Sequence, residues 1–138
     1  MPTTITKKQI RKPQKQQRPG SEQKMQPKPV FDYPQQKGSN KLLNKIALIT
    51  GGDSGIGKAV AILFAKEGAD IAISYLSEKK DADETKKIIE QQYHKQCLLI
   101  ASDIAKEKHC KELIKKTVAA FGRIDILINN AGLHFENK

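Results

Sequence analysis

The chain has 138 residues, 38% of them hydrophobic, and its 25 Lys and Arg against 15 Asp and Glu give a formal net charge of +10. That length allows one domain with a modest core, and no apolar run approaches the ~18 residues of a membrane span or the core of a signal peptide, so a soluble cytoplasmic protein without a membrane partner is expected. Cys97 and Cys110 lack Cys-x-x-Cys spacing, and His94, His109 and His134 are scattered, which favours reduced thiols over a disulfide or a metal site.

Residues 1 to 40 differ from the rest. They hold all six prolines, eight glutamines, and nine Lys or Arg against Glu22 and Asp32, so +7 of the net +10 lies there and +3 in residues 41 to 138. Too little apolar side chain is present to offset the entropy of ordering, and Met1 to about Gln26 is expected to be a disordered basic arm. No aromatic residue is interleaved with its charges before Phe31, so a solvated tail is favoured over a nucleic-acid or acidic partner. Pro27 to Pro34 is more apolar and reads as an extended segment lying along a folded surface.

The domain, residues 41 to 138, begins with an apolar run over 45–50 that has the length and branching of a buried strand. A helix over 55–67 follows, with Ala59, Val60, Leu63 and Phe64 at helical spacing and Gly68 placed to end it. A second strand covers Asp70 to Tyr75. The next helix, Asp81 to His94, carries acids near its N-terminus, turns Ala82, Thr85, Ile88, Ile89 and Tyr93 inward, and turns Lys86 and Lys87 outward. Gln96 to Ala101 is a third strand. The helix over 106–122 keeps Cys110, Leu113, Ile114, Thr117, Val118 and Phe121 on one face and stops at Gly122, and Ile124 to Asn129 is a fourth strand. Strand and helix alternating in this way predict an α/β, Rossmann-type parallel sheet of about four strands in the order 3-2-1-4, with helices on both faces. Its ligand crevice would lie at the carboxyl ends of strands one and four, where Gly51 and Asn130 face each other.

Between the first strand and first helix stands Thr50-Gly51-Gly52-Asp53-Ser54-Gly55-Ile56-Gly57. A helix N-terminus offers free N–H groups and partial positive charge, so it favours an anion. Gly51 suits a turn closed to residues with a Cβ, Gly55 leaves room for a pyrophosphate, Gly57 allows tight packing, and Ser54 is placed to cap the helix. The spacing is Gly-x-x-x-Gly-x-Gly. It is neither the commoner Gly-x-Gly-x-x-Gly fingerprint nor a P-loop.

This stretch resembles the Thr-Gly-x-x-x-Gly-Ile-Gly motif of short-chain dehydrogenases/reductases, and the resemblance extends over residues 45 to 132. Ser102-Asp103-Ile104 follows the third strand, where the family places an Asp on the adenine amino group and the next residue against the ring. Asn129-Asn130-Ala131-Gly132 is similar to the family motif that supports the sheet and lines the cofactor cleft. Taken singly, Asp103 is more often a helix cap, and paired asparagines can simply satisfy loop backbone. Phe31-Asp32-Tyr33-Pro34, Lys37-Gly38-Ser39 and Gly51-Gly52-Asp53-Ser54-Gly55 look like a bacterial subgroup with an N-terminal extension, which includes general stress proteins and glucose-dehydrogenase-like members. Asp53 departs from the neutral or basic residue many members carry. An acid beside a pyrophosphate is unfavourable unless it turns aside, here toward a ribose hydroxyl.

The resemblance implies an oxidoreductase binding NAD or NADP and moving a hydride to or from a small alcohol or carbonyl substrate. The cofactor contacts would be Gly51, Asp53, Ser54, Gly55, Ile56, Gly57, Tyr75, Asp103, Ile104, Asn130, Ala131 and Gly132. Tyr75 stands about twenty residues past the glycines, where an Asp or Glu would hold the ribose 2′-OH of NAD. Glu78 would serve NAD, whereas Ser74, Ser77, Lys79 and Lys80 would serve a 2′-phosphate, so the choice stays open. In the family a Ser and a Tyr-x-x-x-Lys perform the acid/base step, the Lys lowering the Tyr pKa. The strings Tyr33 to Lys37 and Tyr75 to Lys79 fall in the wrong places, one before the first strand and one at the adenosine side. No catalytic residue is therefore assigned. The expected protein is the N-terminal, cofactor-binding part of such an enzyme, truncated and inactive alone, with an uncovered sheet surface and a tendency to aggregate. Complete members are often oligomers through helices that this stretch lacks. The alternative is a non-catalytic nucleotide-binding module whose basic arm engages an acidic partner or nucleic acid.

Overall fold

The computed structural model describes residues 13–17 and 20–132. Most of the expected disorder over residues 1 to 26 concerns residues outside that description; within it, Glu22–Lys24 forms a single 3-10 turn. Four strands, β1 (Ile46–Thr50), β2 (Asp70–Tyr75), β3 (Cys97–Ala101) and β4 (Ile126–Ile128), alternate with three helices, α1 (Gly55–Lys66), α2 (Lys79–Tyr93) and α3 (Glu107–Phe121). The strands pair in parallel in the order β3-β2-β1-β4. This is the Rossmann-type topology expected from the alternation. The registers Thr50 with Ser74 and Tyr75 with Ala101 bring the carboxyl ends of β1, β2 and β3 to one edge of the sheet.

Side chains alternate across the strands, and the two faces are covered by different helices. Ala47, Ile49, Ile71, Ile73 and Cys97 join Ala61, Ile62, Ala65 and Ile89 in one cluster, so α1 and α2 lie on that face. Leu48, Ala72 and Ile100 meet Leu113 on the other, where α3 packs. β1 is buried along its whole length, as a central parallel strand must be.

Several details depart from the sequence reading: β4 is Ile126–Ile128 rather than Ile124 to Asn129, and α2 begins at Lys79 rather than Asp81. In α1 the deepest residues are Ala61, Ile62 and Ala65, whereas Leu63 is 51% exposed; this helix is apolar nearly all round, so spacing alone did not select its buried face. In α3 only Leu113 and Thr117 are buried, while Ile114 and Val118 stand 42% and 40% exposed. The apolar stripe is wider than the strip of sheet beneath it. In α2, Lys86 is half-buried rather than outward, with its ammonium donating to the carbonyl of Cys97.

The segment from Phe31 to Leu43 lies against the α1 layer. Phe31 and Leu42 pack on the core cluster. The Lys58 ammonium sits 4.2 Å above the Phe31 ring, and that of Lys66 lies 2.5 Å from Asp32 Oδ1 and donates to the carbonyl of Tyr33 at 2.9 Å. Tyr93 donates its hydroxyl to Asp32, and Glu67 accepts from the backbone N–H groups of Ser39 and Lys41 at 2.9 and 3.1 Å. Gly38 crosses the end of α1 so closely that a Cβ there would lie 2.2 Å from the carbonyl oxygen of Lys66.

Candidate functional site

The turn leaving β1 is built from three directions. Gly51 takes φ +65° and donates its N–H to the carbonyl of Ser74 at 2.8 Å. Asn130 reaches across from the end of β4, and its Nδ2 donates to the carbonyls of Thr50 and Gly51, each at 3.2 Å. The predicted facing of Gly51 and Asn130 is thus a direct hydrogen bond. Gly57, at the start of α1, closes the third side: a Cβ on it would lie 2.1 Å from the Gly51 oxygen and 2.6 Å from Asn130 Nδ2. The tight packing expected of Gly57 is therefore against the turn and the asparagine.

Thr50 joins the two halves, which the sequence reading did not assign to it. Its hydroxyl oxygen accepts from the backbone N–H groups of Asn130 and Ala131, both at 3.1 Å, and donates to the carbonyl of Ile128 at 3.4 Å. Its partners lie some eighty residues away, so only the threonine preceding the glycines hinted at the role. Among the described residues, a Cβ on Gly132 would meet nothing within 4 Å.

At the N-terminus of α1, Ser54 occupies the cap position in extended conformation, but its side chain makes no cap hydrogen bond, contrary to expectation. The anionic contact comes instead from the arm, because the Gly55 N–H donates to the Glu22 carboxylate. Gly55 has φ +56°, a conformation that side chains rarely adopt, and Ile56 beside it is 77% exposed. Sequence patterns gave no sign of Glu22.

Asp53 is buried, at 9% exposure, and faces the start of α2. Its carbonyl accepts from the Thr85 hydroxyl at 3.2 Å. Burial pushes its carboxyl above the ordinary range, opposed by its own backbone N–H and reinforced by the nearby carboxylates of Asp81 and Glu78. Tyr75 ends β2 half-buried, and its carbonyl accepts from the N–H of Ser102. In the string Tyr75 to Lys79, the Lys79 ammonium is paired with Asp83 at 3.1 Å. Asp103 accepts from the N–H of Ala105 at 3.1 Å, a turn contact ahead of α3 rather than the helix cap weighed against an adenine role, since Lys106 holds the cap position, and Ile104 packs against the α3-side cluster. Gly51, Gly57, Asn130 and Ala131 are brought together through Thr50; Tyr75, Asp103 and Ile104 lie along the ends of β2 and β3 on the same sheet edge.

The sequence model of the short chain dehydrogenase family matches residues 45–138. The chain belongs to this family. General stress protein 39 of Bacillus subtilis is 58% identical over 114 residues, covering 83% of this chain and 40% of its own length. NADPH-dependent aldehyde reductase 1 of Arabidopsis thaliana is 44% identical over 125 residues, covering 87% and 43%. A short-chain dehydrogenase from Burkholderia cenocepacia J2315, solved in complex with NADP, is 38% identical with a TM-score of 0.65 over 67% of this chain and 38% of that one. L-sorbose reductase from Gluconobacter frateurii, solved with NADPH and L-sorbose, is 33% identical with a TM-score of 0.66 over 70% and 36%. The chain thus spans about two fifths of these short-chain oxidoreductases. No described helix is long and apolar enough to cross a membrane.

Proposed function

We propose that this chain binds a nicotinamide dinucleotide, NAD or NADP, and that it supplies the cofactor-binding part of a short-chain oxidoreductase acting on a small alcohol or carbonyl compound. The carrying observation is the three-sided cradle of Gly51, Gly57 and Asn130, which has no space for a further side chain. The Gly55 N–H already receives a carboxylate, so the donor the pyrophosphate needs is presented to an anion. A hydride acceptor or donor is what the dinucleotide adds when bound.

The chain's own residues then have positioning roles. Gly51, Ser54, Gly55, Ile56 and Gly57 receive the pyrophosphate. Asp53 and Tyr75 border the adenosine ribose, Asp103 and Ile104 the adenine, and Asn130, Ala131 and Gly132 the wall toward the nicotinamide. The cofactor complexes of the Burkholderia and Gluconobacter proteins support the choice of ligand. No residue of the chain is assigned the family's catalytic Ser or Tyr-x-x-x-Lys role, so residues 1–138 alone are expected to bind without turnover.

NADH and NADPH titrations followed by cofactor fluorescence test this reading, beside a Gly55→Trp variant checked by circular dichroism. Saturable binding that the variant loses while keeping its fold is the expected result. The absence of binding by the folded wild-type chain would refute the reading.

A further inference from the structure

We propose that the carboxylate of Glu22 is a built-in competitor for the cofactor pyrophosphate, held by the arm over the N-terminus of α1 and displaced when the dinucleotide binds. The inference rests on the dinucleotide reading above. Its geometry is specific: the Glu22 carboxylate accepts the hydrogen bond from the Gly55 N–H, and Glu22 Oε1 would lie 3.6 Å from a Cβ on Gly55. Ser54, the residue placed to cap this helix, leaves the task undone. A charged group thus stands where the helix start favours an anion, and it belongs to the chain itself.

The arm braces the turn that carries the carboxylate and is fastened to α1 downstream of it. Glu22 lies in a 3-10 turn closed by bonds from Lys24 N to Ser21 O at 3.2 Å and Met25 N to Glu22 O at 3.1 Å. Gln16 Oε1 accepts from Ser21 N at 2.7 Å, and Gln14 Oε1 from Gln26 N at 3.0 Å. Downstream, Phe31 under Lys58 and Asp32 on Lys66 fix the chain to the outer side of α1. Tethering raises the local concentration of a group whose own affinity for a helix terminus is weak. A pyrophosphate carries more charge and meets more of the glycine turn, so it wins at saturation. Until then the carboxylate lowers the apparent cofactor affinity in proportion to its occupancy.

The test uses the full chain and NADH as the probe. Glu22→Gln and Glu22→Ala are expected to lower the NADH dissociation constant about threefold, as follows if the carboxylate occupies the site about two thirds of the time. Gln23→Ala, one position along the same turn, leaves it unchanged. In a second measurement, saturating NADH accelerates tryptic cleavage after Lys24 in the wild-type chain, because the displaced turn opens to the protease. Unchanged or weaker NADH binding in both Glu22 variants, or protection of Lys24 by NADH, overturns the competitor. Loss of NADH binding in every folded form overturns the dinucleotide reading itself.

Discussion

At Gly57 two opposing effects of one methyl group set the outcome. Alanine in place of glycine inside a helix ordinarily stabilises by ~1 kcal/mol. Here the methyl would stand 2.1 Å from the Gly51 oxygen, which is backbone, and 2.6 Å from Asn130 Nδ2, which is held by two hydrogen bonds, and overpacking of this kind costs ~1–3 kcal/mol. The clash also pushes aside the asparagine that ties β4 to the turn, so Gly57→Ala is expected to lower stability by up to ~2 kcal/mol net. Urea denaturation followed by circular dichroism checks it; a higher midpoint in the variant would mean that the turn yields. Gly51, Gly57 and Asn130 were legible in the sequence because motif glycines and the paired asparagines fall at strand ends, where the topology forces them together. Thr50 and Glu22 were not, since their partners lie far off in the chain and neither follows a periodic pattern. Asp103 was legible by its place in a motif, whereas its contact with the N–H of Ala105 in its own turn was not.

Among the elements, the segment from Phe31 to Leu43 is the least ordinary, because a polar extension is fastened to a helix by charge as well as by apolar contact. Asp32 and Lys66 have side chains only 14% and 7% exposed, so loss of the carboxylate leaves a nearly buried ammonium with the Tyr33 carbonyl as partner. Burial acts to raise the Asp32 pKa, but the bonds from Lys66 and Tyr93 and the Lys66 charge outweigh it and hold the carboxyl below its ordinary value. Burial, and then the same contact with Asp32, raise the Tyr93 phenol. A carboxylate depressed in the folded state contributes stability that is present above its unfolded pKa of ~3.9 and is lost as pH falls through the lower folded value. Asp32→Asn is therefore expected to loosen the segment by about 2 kcal/mol at pH 7 and to differ less from wild type as pH drops below ~4. Limited proteolysis after Lys37, run across that range, reads it out; equal cleavage rates at pH 7 would show that Phe31 and Gly38 suffice. The aromatic and proline content of 27–34 announced a segment lying on a surface, but not which helix would receive it. Helix α3 was legible in its bounds and less so in its burial, because periodicity reports an apolar stripe and is silent about the width of sheet available to cover it.

Across the whole molecule the two faces of the sheet are unequally protected. The α1 and α2 face carries the large cluster, including Cys97, whose burial pushes its thiol up to about 12. On the α3 face, Ile114 and Val118 are joined by Leu127, 48% exposed on the strand at the sheet edge. An apolar groove of about 560 Å³ lies between β3 and α3, lined by Leu98, Ile100, Ala119 and Ala120 among others. Parallel sheets bury both faces, so an apolar surface of this kind on one face favours self-association as concentration rises. We expect Leu127→Lys combined with Val118→Lys to suppress it, since both positions are solvent-facing and neither belongs to the two core clusters. Light scattering over a concentration series should show association in the wild-type chain and much less in the double variant, with thermal midpoints agreeing within ~2 °C at low concentration. Cys97 provides the matching control from the opposite face: its labelling by a thiol reagent tracks global unfolding, because a thiol this buried is inert until the α1 and α2 layer opens. Association that persists in the double variant, with Cys97 still protected, would locate the sticking surface elsewhere, at the open edge of β4.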